Sequence, residues 1–305
     1  MGLTRLVLGT GMIGAEAARL FVASGDDVMV GSRHGTPVHG ARAITLDAGD
    51  IDALTAAAVG VTTIVVATNP PYPDWLRDWP PIIDAVIAAA SSSGADVVLM
   101  GNLYGYGPVS IPMTEHLPLV STERKGRLRS QLWEQLLAAS TVHGFRVAEV
   151  RASDYFGPGA GATSHLGDRF FTPVLNSKRA WVVGDPAAAH SWAYLPDIAA
   201  TIVAAANHPG DWGRAWLVPH APTRSIDQLV SDINARTGSS GRATGIPEIV
   251  FAAGGVFVPF LREVGAMRYQ FLRDFTVDST ETEGLLGLRA TPWEDSLPRT
   301  IASYR

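Results

Sequence analysis

The most constraining feature of the sequence is its beginning, where an apolar run meets a glycine-rich turn. Residues 5–8 read Arg-Leu-Val-Leu, residues 9–14 read Gly-Thr-Gly-Met-Ile-Gly, and an alanine-rich helical pattern covers residues 15–24. In a GxGxxG turn of this kind the first glycine makes the turn, the second admits a pyrophosphate, and the third lets helix and strand pack closely. The helix also directs its positive N-terminal end at the phosphates. We therefore favour dinucleotide binding over an ordinary strand–helix corner, and the predicted contacts are Gly9, Gly11, Met12, Ile13 and Gly14.

Length and composition narrow the class of protein further. The chain has 305 residues, of which 47% are hydrophobic and 17% charged, so a sizeable core is expected and disorder is not. A net charge of −5 argues against nonspecific binding to nucleic acid or to an anionic membrane. The absence of cysteine excludes disulfides, thiol nucleophiles and thiolate metal sites. No apolar run reaches membrane-spanning length and no secretory leader precedes the first strand, so a cytoplasmic protein is expected.

Strand-like and helix-like segments alternate along the first half of the chain. Strands are predicted at residues 27–30, 41–46, 61–67, 96–100 and 145–151, and helices at 50–59, 81–93 and 122–140. This alternation is typical of a parallel sheet covered by helices on both faces. The predicted fold class is therefore α/β, a Rossmann-type doubly wound parallel sheet with a small C-terminal α/β substrate lobe.

The end of the second predicted strand bears on the choice of cofactor. In dinucleotide-binding folds an Asp or Glu there binds the ribose hydroxyls, whereas this chain has Ser32 and Arg33 and no acidic residue. Arginine presents a fixed fork of donors that suits a 2′-phosphate. We therefore predict NADP in preference to NAD, the alternative being a solvated Arg33 in a turn. Asp47, after the third strand, suits either the adenine amino group or a helix cap.

Further candidates follow the later strands, because open α/β sheets bind ligands at the C-terminal ends of their strands. Ala67 and Thr68 follow the fourth strand, Asn102 and Tyr104 the fifth, and Ser153 and Tyr155 the sixth. Ala67, Thr68, Asn102 and Ser153 are predicted cofactor contacts. Tyr104 and Tyr155 are the phenols best placed for proton exchange, and Asn102 can bind a carbonyl oxygen. Each tyrosine can equally be a packed aromatic residue.

Beyond residue 159 the alternation breaks, and glycine and proline become more frequent. Short strands are predicted at 181–183 and 215–218, and helices at 196–207 and 225–237. We assign residues 1–158 to the NADP-binding domain, with 185–210 returning to it. Residues 159–184 and 211–305 are assigned to a substrate-binding lobe. The lobe's core or an apolar-walled pocket is expected from Trp181, Trp192, Phe251, Phe257, Phe260, Met267, Tyr269 and Phe271.

Several polar side chains suit either a functional or a structural role. A basic cluster on the long helix, formed by Arg124, Lys125, Arg127 and Arg129, can meet an anionic substrate but is typical of a solvated face. His165 and His190 titrate usefully near neutral pH or are simply hydrogen-bonded or surface histidines. The histidines lack metal-ligand spacing, so no metal site is predicted. Asp197 is expected to cap a helix.

Partners are expected to be small molecules. The two helices at 81–93 and 122–140 cover one face of the predicted sheet, and Ala88, Ala89 and Leu136 would allow their outer surfaces to pair in a homodimer.

Taken together, four motifs resemble the short-chain dehydrogenase/reductase superfamily, in its extended branch of NAD(P)-dependent epimerases, dehydratases and reductases. They are the glycine turn, the Tyr104-Gly105 loop, residues 151–159, and residues 192–197, which read Trp-Ala-Tyr-Leu-Pro-Asp. The resemblance covers nearly the whole chain and implies a Rossmann core with a small C-terminal substrate lobe.

The resemblance also implies a catalytic Tyr-x-x-x-Lys pair on the long helix, in which the lysine lowers the pKa of the tyrosine. Residues 123–134 contain no tyrosine. One alignment places the pair at Gly126 and Ser130, and a shift of one residue places it at Lys125 and Arg129. The serine that would follow the fifth strand also falls near residues 100–102 and is absent. The chain therefore looks like an atypical member of the superfamily.

Three functional hypotheses remain. The leading one is an NADP-dependent oxidoreductase that reduces a small, mainly apolar carbonyl-like substrate with a relocated acid. The second is a catalytically silent NADP(H)-binding sensor or regulatory protein. The third, a sugar-nucleotide epimerase or dehydratase, is disfavoured because its tyrosine base is missing and His190 stands where a basic residue commonly grips the diphosphate.

Overall fold

A seven-stranded parallel sheet forms the centre of the computed structural model, which describes residues 2–162, 164–251, 263 and 265–305. Its spatial order is β3-β2-β1-β4-β5-β6-β10. The strands are β1 (Thr4–Leu8), β2 (Asp27–Ser32), β3 (Arg42–Thr45), β4 (Thr63–Val66), β5 (Asp96–Asn102), β6 (Val147–Ala152) and β10 (Arg214–Leu217). The central strands are apolar on both faces, as a sheet covered by helices requires. The predicted fold class, a doubly wound parallel sheet, is confirmed.

Helices cover both faces of this sheet, and others pack outside it. They are α1 (Met12–Ala23), α2 (Ile51–Ala57), α3 (Trp75–Ser93), α4 (Arg124–His143), α5 (Asp168–Leu175), α6 (Leu195–Asn207), α7 (Ile226–Thr237), α8 (Thr280–Leu286) and α9 (Trp293–Ala302). Helices α2, α3 and α4 share one core with the sheet, and α1 and α6 share the core on the opposite face. Every crossover therefore returns the chain to the same edge, where the strands' C-terminal ends lie together.

A third core lies outside the main sheet. It contains α5, α7 and α9 together with the short pairs β7 (Tyr155–Phe156) with β9 (Ala193–Tyr194) and β8 (Arg179–Val182) with β11 (Arg242–Gly245). Strand β10 falls within the range 211–305 that the sequence assigned to the lobe, but its hydrogen bonds place it beside β6 in the main sheet. Trp216 of β10 is fully buried in the core that the sheet shares with α1 and α6.

Helix α3 begins at Trp75, six residues before the predicted start at residue 81. Trp75 and Trp79 lie one turn apart and are both buried, so the additional turns bury two large aromatic side chains. Pro80 and Pro81 lie inside the helix and cannot donate to the carbonyl groups four residues earlier. The first of those carbonyls belongs to Leu76, an exposed residue, so solvent can replace the missing donor.

The surfaces proposed for a homodimer are partly buried within this chain. Ala89 and Leu136 have no exposed area and belong to the core between α3, α4 and the sheet. These two side chains therefore do not lie on an outer surface, contrary to the sequence-based expectation. Among the described residues there is no helix long and apolar enough to cross a membrane.

Candidate functional site

The glycine turn joins β1 to α1 at the C-terminal edge of the sheet. Gly9 has φ of +103°, and a Cβ there would lie 2.7 Å from the Cα of Thr68. A Cβ on Gly14 would lie 2.1 Å from the carbonyl oxygen of Gly9, whereas no described atom lies within 4 Å of the same position on Gly11. Gly9 therefore makes the turn, Gly14 lets the helix approach the strand, and Gly11 faces open space. Each glycine occupies the position that its role in the motif requires.

The beginning of α1 leaves backbone donors unpaired. Gly11 is the N-cap residue and no side chain caps the helix; the first intrahelical bond runs from the N–H of Ala15 to the carbonyl of Gly11. The N–H groups of Met12, Ile13 and Gly14 therefore have no partner within the helix. Together with the helix dipole, they can hold an anionic diphosphate.

Ser32 and Arg33 lie where β2 ends. The hydroxyl of Ser32 accepts a hydrogen bond from the backbone N–H of Thr36 at 2.9 Å, which closes the turn after the strand. The Arg33 side chain is exposed. The pKa of Asp78 on α3 is lowered mainly by a hydrogen bond from Arg77 and to a smaller degree by the charge of Arg33. Arg33 therefore lies within electrostatic reach of the beginning of α3 while its guanidinium remains exposed to solvent.

The sequence left two roles open for Asp47, adenine binding and helix capping, and the structure gives the capping role to Asp50. The Asp47 carboxylate is exposed and accepts a hydrogen bond from the backbone N–H of Gly49 at 3.0 Å. Asp50, not Asp47, is the N-cap of α2, and it accepts from the N–H of Ala53 at 3.0 Å. The helix-cap interpretation of Asp47 is therefore wrong, because the N-cap position lies three residues later.

Two tyrosines meet where β4 and β5 end. Asn102, the last residue of β5, accepts a hydrogen bond from the backbone N–H of Tyr104 at 3.0 Å, so its amide nitrogen is the group left to donate. The Tyr104 ring stacks on Trp75 at 5.9 Å between ring centroids, and its hydroxyl is hydrogen-bonded to that of Tyr72. Burial raises the pKa of both phenols well above the ordinary value. Both hydroxyls are therefore protonated at neutral pH and can donate.

Half of the basic cluster on α4 is buried. Arg124 and Arg127 are exposed, but Lys125 and Arg129 are only 3% and 4% exposed. Lys125 is paired with Glu263, and its ammonium lies 4.2 Å from the centroid of the Tyr72 ring. The interpretation as a solvated face therefore fails for these two side chains, because both are buried against other parts of the chain.

Arg129 is held between backbone and aromatic rings. Its Nη2 donates to the carbonyl of Met100 at 2.7 Å, and its guanidinium lies 4.7 Å from the centroid of the Trp79 ring. The Nε of Arg129 has no hydrogen-bond partner among the described residues. These contacts join α4 to β5, which ends just before Tyr104, and to α3, which begins just after Tyr72.

Gly126 and Ser130 are the residues that the other alignment places at the positions of the expected Tyr-x-x-x-Lys pair. A Cβ on Gly126 would lie 2.0 Å from the hydroxyl of Ser121 and 2.5 Å from the carbonyl oxygen of Tyr104. The hydroxyl of Ser130 donates to the carbonyl of Gly126 at 3.1 Å within the helix. The glycine thus lets α4 pack directly on the turn that carries Tyr104, and a larger side chain at this position would displace that turn.

A buried charge network supports this edge from behind. Glu149 on β6 is 2% exposed and accepts a hydrogen bond from Nε of Arg151 at 2.6 Å. Nη1 of Arg151 donates to the hydroxyl of Tyr106 at 2.8 Å, and Nη2 of Arg129 lies 3.9 Å from the other oxygen of Glu149. One carboxylate therefore compensates two buried guanidinium groups, and the network fixes the loop after β5 against β6.

Ser153 and Asp154 follow β6 and meet His190, which precedes β9. His190 is 3% exposed, and its Nε2 lies 3.1 Å from a carboxylate oxygen of Asp154 and 3.3 Å from the hydroxyl of Ser153. Both contacts use the same ring nitrogen of His190. In a Ser-His-Asp triad one ring nitrogen contacts the carboxylate and the other contacts the nucleophile, so Ser153, His190 and Asp154 do not form such a triad. His190 is committed to Asp154 inside the protein.

The carboxylate of Asp154 also acts on several neighbouring titratable side chains. It acts electrostatically on the residues Tyr72, Tyr104, His165 and Tyr269. We call Asp154, His190 and these four residues the Asp154 cluster. The sequence offered Tyr104, Tyr269 and both histidines as candidates but missed Asp154 and Tyr72. Asp154 lies between two selected residues at a strand end, and its position was the signal that could have identified it.

Aromatic side chains surround part of this cluster. His165 stacks on Phe271, and His190 packs on Trp192 at 4.2 Å between ring centroids. Met267 is buried beside Lys125 in a cleft that Glu123, Arg124, Glu263 and Ala266 also line. Trp181 is 52% exposed, so it does not belong to the lobe's core. Phe251 is buried, whereas Phe257 and Phe260 lie outside the described residues.

Two remaining expectations concern structure and not chemistry. The N-cap of α6 is Tyr194, so Asp197 is not a helix cap; its carboxylate accepts hydrogen bonds from the N–H and hydroxyl of Thr291 at 2.8 Å and 2.6 Å. This contact ties α6 to the segment before α9. Within the described part of the chain, no group of three or more His, Asp or Glu side chains is arranged to hold a metal ion.

Tyr155 occupies the short β7 strand, and its side chain packs against the core that contains α1 and α6. It acts electrostatically on Tyr104, so the two phenols selected from the sequence are neighbours. Ala67 begins the loop after β4, where its N–H donates to the carbonyl of Leu8 at 2.9 Å. Thr68 lies against Gly9. The selected residues after β1, β4, β5 and β6 are therefore brought to one edge of the sheet.

Solved structures share this fold over the whole chain. A UDP-glucuronic acid 4-epimerase from Bacillus cereus in complex with NAD superposes with a TM-score of 0.81 at 14% identity, covering 99% of this chain and all of the other. A UDP-glucose 4-epimerase from Thermotoga maritima with UDP-glucose gives 0.81 at 14% identity, with 99% of each chain covered. A dTDP-glucose 4,6-dehydratase from Streptomyces venezuelae, a double mutant with NAD bound, gives 0.77 at 20% identity and covers 99% of this chain and 96% of that one.

At these identities the similarity establishes the fold. No curated protein sequence matches this chain. The family model for the NAD dependent epimerase/dehydratase family does match it, over residues 6–218. That range runs from β1 to the end of β10 and includes the glycine turn, the tyrosine pair and Asp154. The chain belongs to the NAD dependent epimerase/dehydratase family.

Proposed function

We propose that this protein is a nicotinamide-dependent oxidoreductase that reduces a small, mainly apolar carbonyl-like substrate. The observation that carries the proposal is the hydrogen-bonded pair Tyr72–Tyr104 at the C-terminal edge of the sheet, on which the open glycine turn also lies. Family membership supports a nicotinamide cofactor, and the free N–H groups at the start of α1 fit its diphosphate. Ala67, Thr68, Asn102 and Ser153 are the further residues proposed to contact it.

The proposed cofactor is NADP. Arg33 is exposed where β2 ends and no acidic residue accompanies it, so its guanidinium is free to meet a 2′-phosphate. Two of the three structural neighbours described above were solved with NAD, which is a property of those proteins. We propose that Ser32 supports the turn that presents Arg33, and that the exposed carboxylate of Asp47 accepts from the adenine amino group.

The proton would come from Tyr104. The bound cofactor supplies a hydride, and the chain must then deliver a proton to the substrate oxygen. Tyr104 carries its proton at neutral pH, as phenols do, and burial raises its pKa further; Tyr72 can replace that proton through their shared hydrogen bond. The amide nitrogen of Asn102 can donate to the same substrate oxygen, and Tyr155 is the alternative phenol.

The expected Tyr-x-x-x-Lys pair is proposed to be absent. Helix α4 contains no tyrosine, and packing at Gly126 leaves no space for one. Lys125 is the lysine nearest to a phenol, but its charge is balanced by Glu263. Tyr104 would therefore act as an acid that keeps its proton until the substrate oxygen becomes negative, and not as a phenolate activated by a free ammonium group.

A catalytically silent NADP(H) sensor is the second candidate, and the pairing of Lys125 with Glu263 favours it because the buried ammonium is not free to activate a tyrosine. A sugar-nucleotide epimerase or dehydratase, the activity named for the structural neighbours, is less favoured. His190 is buried and paired with Asp154, so it is not free to hold a diphosphate.

Turnover separates these candidates. NADPH oxidation should be measured over a panel of aldehydes, ketones and enones, and for the best substrate with Tyr104→Phe and the distant Tyr304→Phe. We expect Tyr104→Phe to lower kcat by about 100-fold or more with cofactor affinity unchanged, since general acid catalysis contributes roughly 10²–10⁴. Tyr304→Phe should retain wild-type kcat. Unchanged kcat in Tyr104→Phe would reject this acid, and cofactor binding without turnover on the panel would favour the sensor.

A further inference from the structure

Two polar atoms in the Asp154 cluster are buried without a hydrogen bond. They are Nε2 of His165 and the hydroxyl oxygen of Tyr269, neither of which has a partner among the described residues. Buried polar groups in folded proteins are almost always hydrogen-bonded, and the exceptions call for an explanation. Both exceptions lie near one carboxylate, that of Asp154, at the ligand-binding edge of the sheet.

Packing holds both side chains in position. The His165 ring lies parallel to Phe271 at 4.2 Å between centroids and an interplanar angle of 10°. Tyr269 packs edge-on against Phe275 at 6.4 Å. The same two phenylalanines stack on His190, at 5.2 Å and 5.3 Å respectively. The unpaired atoms are therefore fixed on one group of rings and cannot rotate away without losing these contacts.

The surrounding charges indicate what these atoms can bind. Burial lowers the pKa of His165 to about 4, so its imidazole is neutral at pH 7. Burial raises the pKa of Tyr269, so its phenol is protonated. The carboxylates of Glu123 and Asp154 both act electrostatically on Tyr269, and Asp154 is paired with His190. An anionic ligand group would meet two carboxylates here, whereas an uncharged group would not.

We propose that His165 and Tyr269 form a subsite for an uncharged hydroxyl group of the substrate, beside the phenol of Tyr104. A hydroxyl both donates and accepts, which complements a phenol and a neutral imidazole nitrogen. The substrate class is then a small hydroxy-carbonyl compound, and a nucleoside diphosphate is excluded from this subsite. The inference rests on the proposed function, which supplies the carbonyl part of the substrate.

The first test uses stability and needs no ligand. Tyr269→Phe removes an unpaired buried hydroxyl, whereas Tyr106→Phe removes one that is hydrogen-bonded to Arg151. Because an unpaired polar group destabilises the folded state, we expect Tyr269→Phe to raise Tm by roughly 2–4 °C and Tyr106→Phe to lower it by a similar amount. A fall in Tm for Tyr269→Phe as large as that for Tyr106→Phe would overturn the proposal, because it would show a satisfied hydroxyl.

The second test uses matched small molecules. Hydroxyacetone and acetone differ by one hydroxyl, and their binding to the NADP+-loaded protein can be compared by saturation-transfer NMR. We expect hydroxyacetone to bind about tenfold more tightly than acetone, with the preference lost in Tyr269→Phe and in His165→Phe, which keeps the stacked ring. Pyruvate, an anionic analogue, should bind more weakly than hydroxyacetone. Equal binding of hydroxyacetone and acetone to the wild-type protein would overturn the subsite.

The two proposals fail in different ways. A preference for hydroxyacetone that Tyr269→Phe abolishes, without NADPH oxidation, would support the subsite and reject the reductase. Oxidation of NADPH with acetone and hydroxyacetone at equal kcat/KM would support the reductase and reject the subsite.

Discussion

The two halves of the sheet's ligand-binding edge are built differently. On the β1–β3 side, Gly11 faces open space and the side chains of Arg33 and Asp47 are exposed. On the β4–β6 side, Lys125 and Glu149 are almost fully buried and engaged with other charged groups. A diphosphate can be held by backbone N–H groups, which need only glycine and a helix start. Proton chemistry needs oriented side chains, and these need a surrounding protein to fix them.

This difference indicates where substitutions will matter most. On the β4–β6 side the buried groups are interdependent, so removal of one leaves its partners unsatisfied. On the β1–β3 side the exposed groups can change with little effect on folding and a direct effect on cofactor affinity.

Glu149→Gln should have the largest effect. It keeps the shape of the side chain but removes the carboxylate that compensates Arg129 and Arg151, leaving two buried guanidinium groups without a counter-charge. We expect the free energy of unfolding to fall by about 3–5 kcal/mol, the usual cost of removing one partner of a buried pair. Denaturant unfolding measures it. The exposed Glu134 on α4 provides the control, and Glu134→Gln should change stability by less than about 0.5 kcal/mol. Equal effects of the two substitutions on stability would contradict the difference between buried, interdependent charges and exposed ones.

The sequence predicted the fold well and the chemistry only in part, because local patterns can be read from a sequence and contacts between distant residues cannot. The glycine turn and the alternating segments are local patterns, so the sheet and the cofactor half followed from them. The contacts that define the other half join distant residues: Lys125 to Glu263, Asp154 to His190, and Arg129 to Glu149. No spacing in the chain encodes those contacts. The basic cluster illustrates this, since its four charges read alike while packing buries two of them.

Short elements were missed for a related reason. β7 and β9 are two residues each, and their pairing places Tyr155 and Phe156 beside Ala193 and Tyr194. Their periodicity is too brief to detect in sequence, so tertiary packing decides their existence. The predicted range of helix α3 was too short because it began at residue 81, at the second of two prolines. Burial of Trp75 and Trp79 extends the helix by six residues.

Gly126→Ala should have the next largest effect. A single Cβ at this position would lie 2.0 Å from the hydroxyl of Ser121 and 2.5 Å from the carbonyl of Tyr104, and the second atom is backbone. We expect a loss of about 3 kcal/mol in the free energy of unfolding, at the upper end of the usual cost of overpacking. Gly284 on α8 is the matched control, since no described atom lies within 4 Å of its added Cβ.

Gly284→Ala should therefore stabilise the protein by about 0.5–1 kcal/mol, the helix propensity of alanine over glycine. Thermal and denaturant unfolding of both variants provide the comparison. If Gly126→Ala proved as stable as the wild type, α4 would not be packed on the Tyr104 turn. The explanation for the absence of a tyrosine on α4 would then be lost.

Arg33→Ala tests the open half of the edge, where folding should not respond. The guanidinium is exposed, so the free energy of unfolding should change by less than about 0.5 kcal/mol. Loss of a charge-assisted contact to a 2′-phosphate should weaken NADP+ binding by roughly 10- to 50-fold, or about 1.5–2.5 kcal/mol. NAD+ lacks that phosphate, so its dissociation constant should change by less than about twofold. Calorimetric titration of both cofactors measures the difference. Arg19→Ala, which removes an equal charge from α1, corrects for net charge. Equal weakening of both cofactors would place Arg33 outside the phosphate site and leave NADP without support.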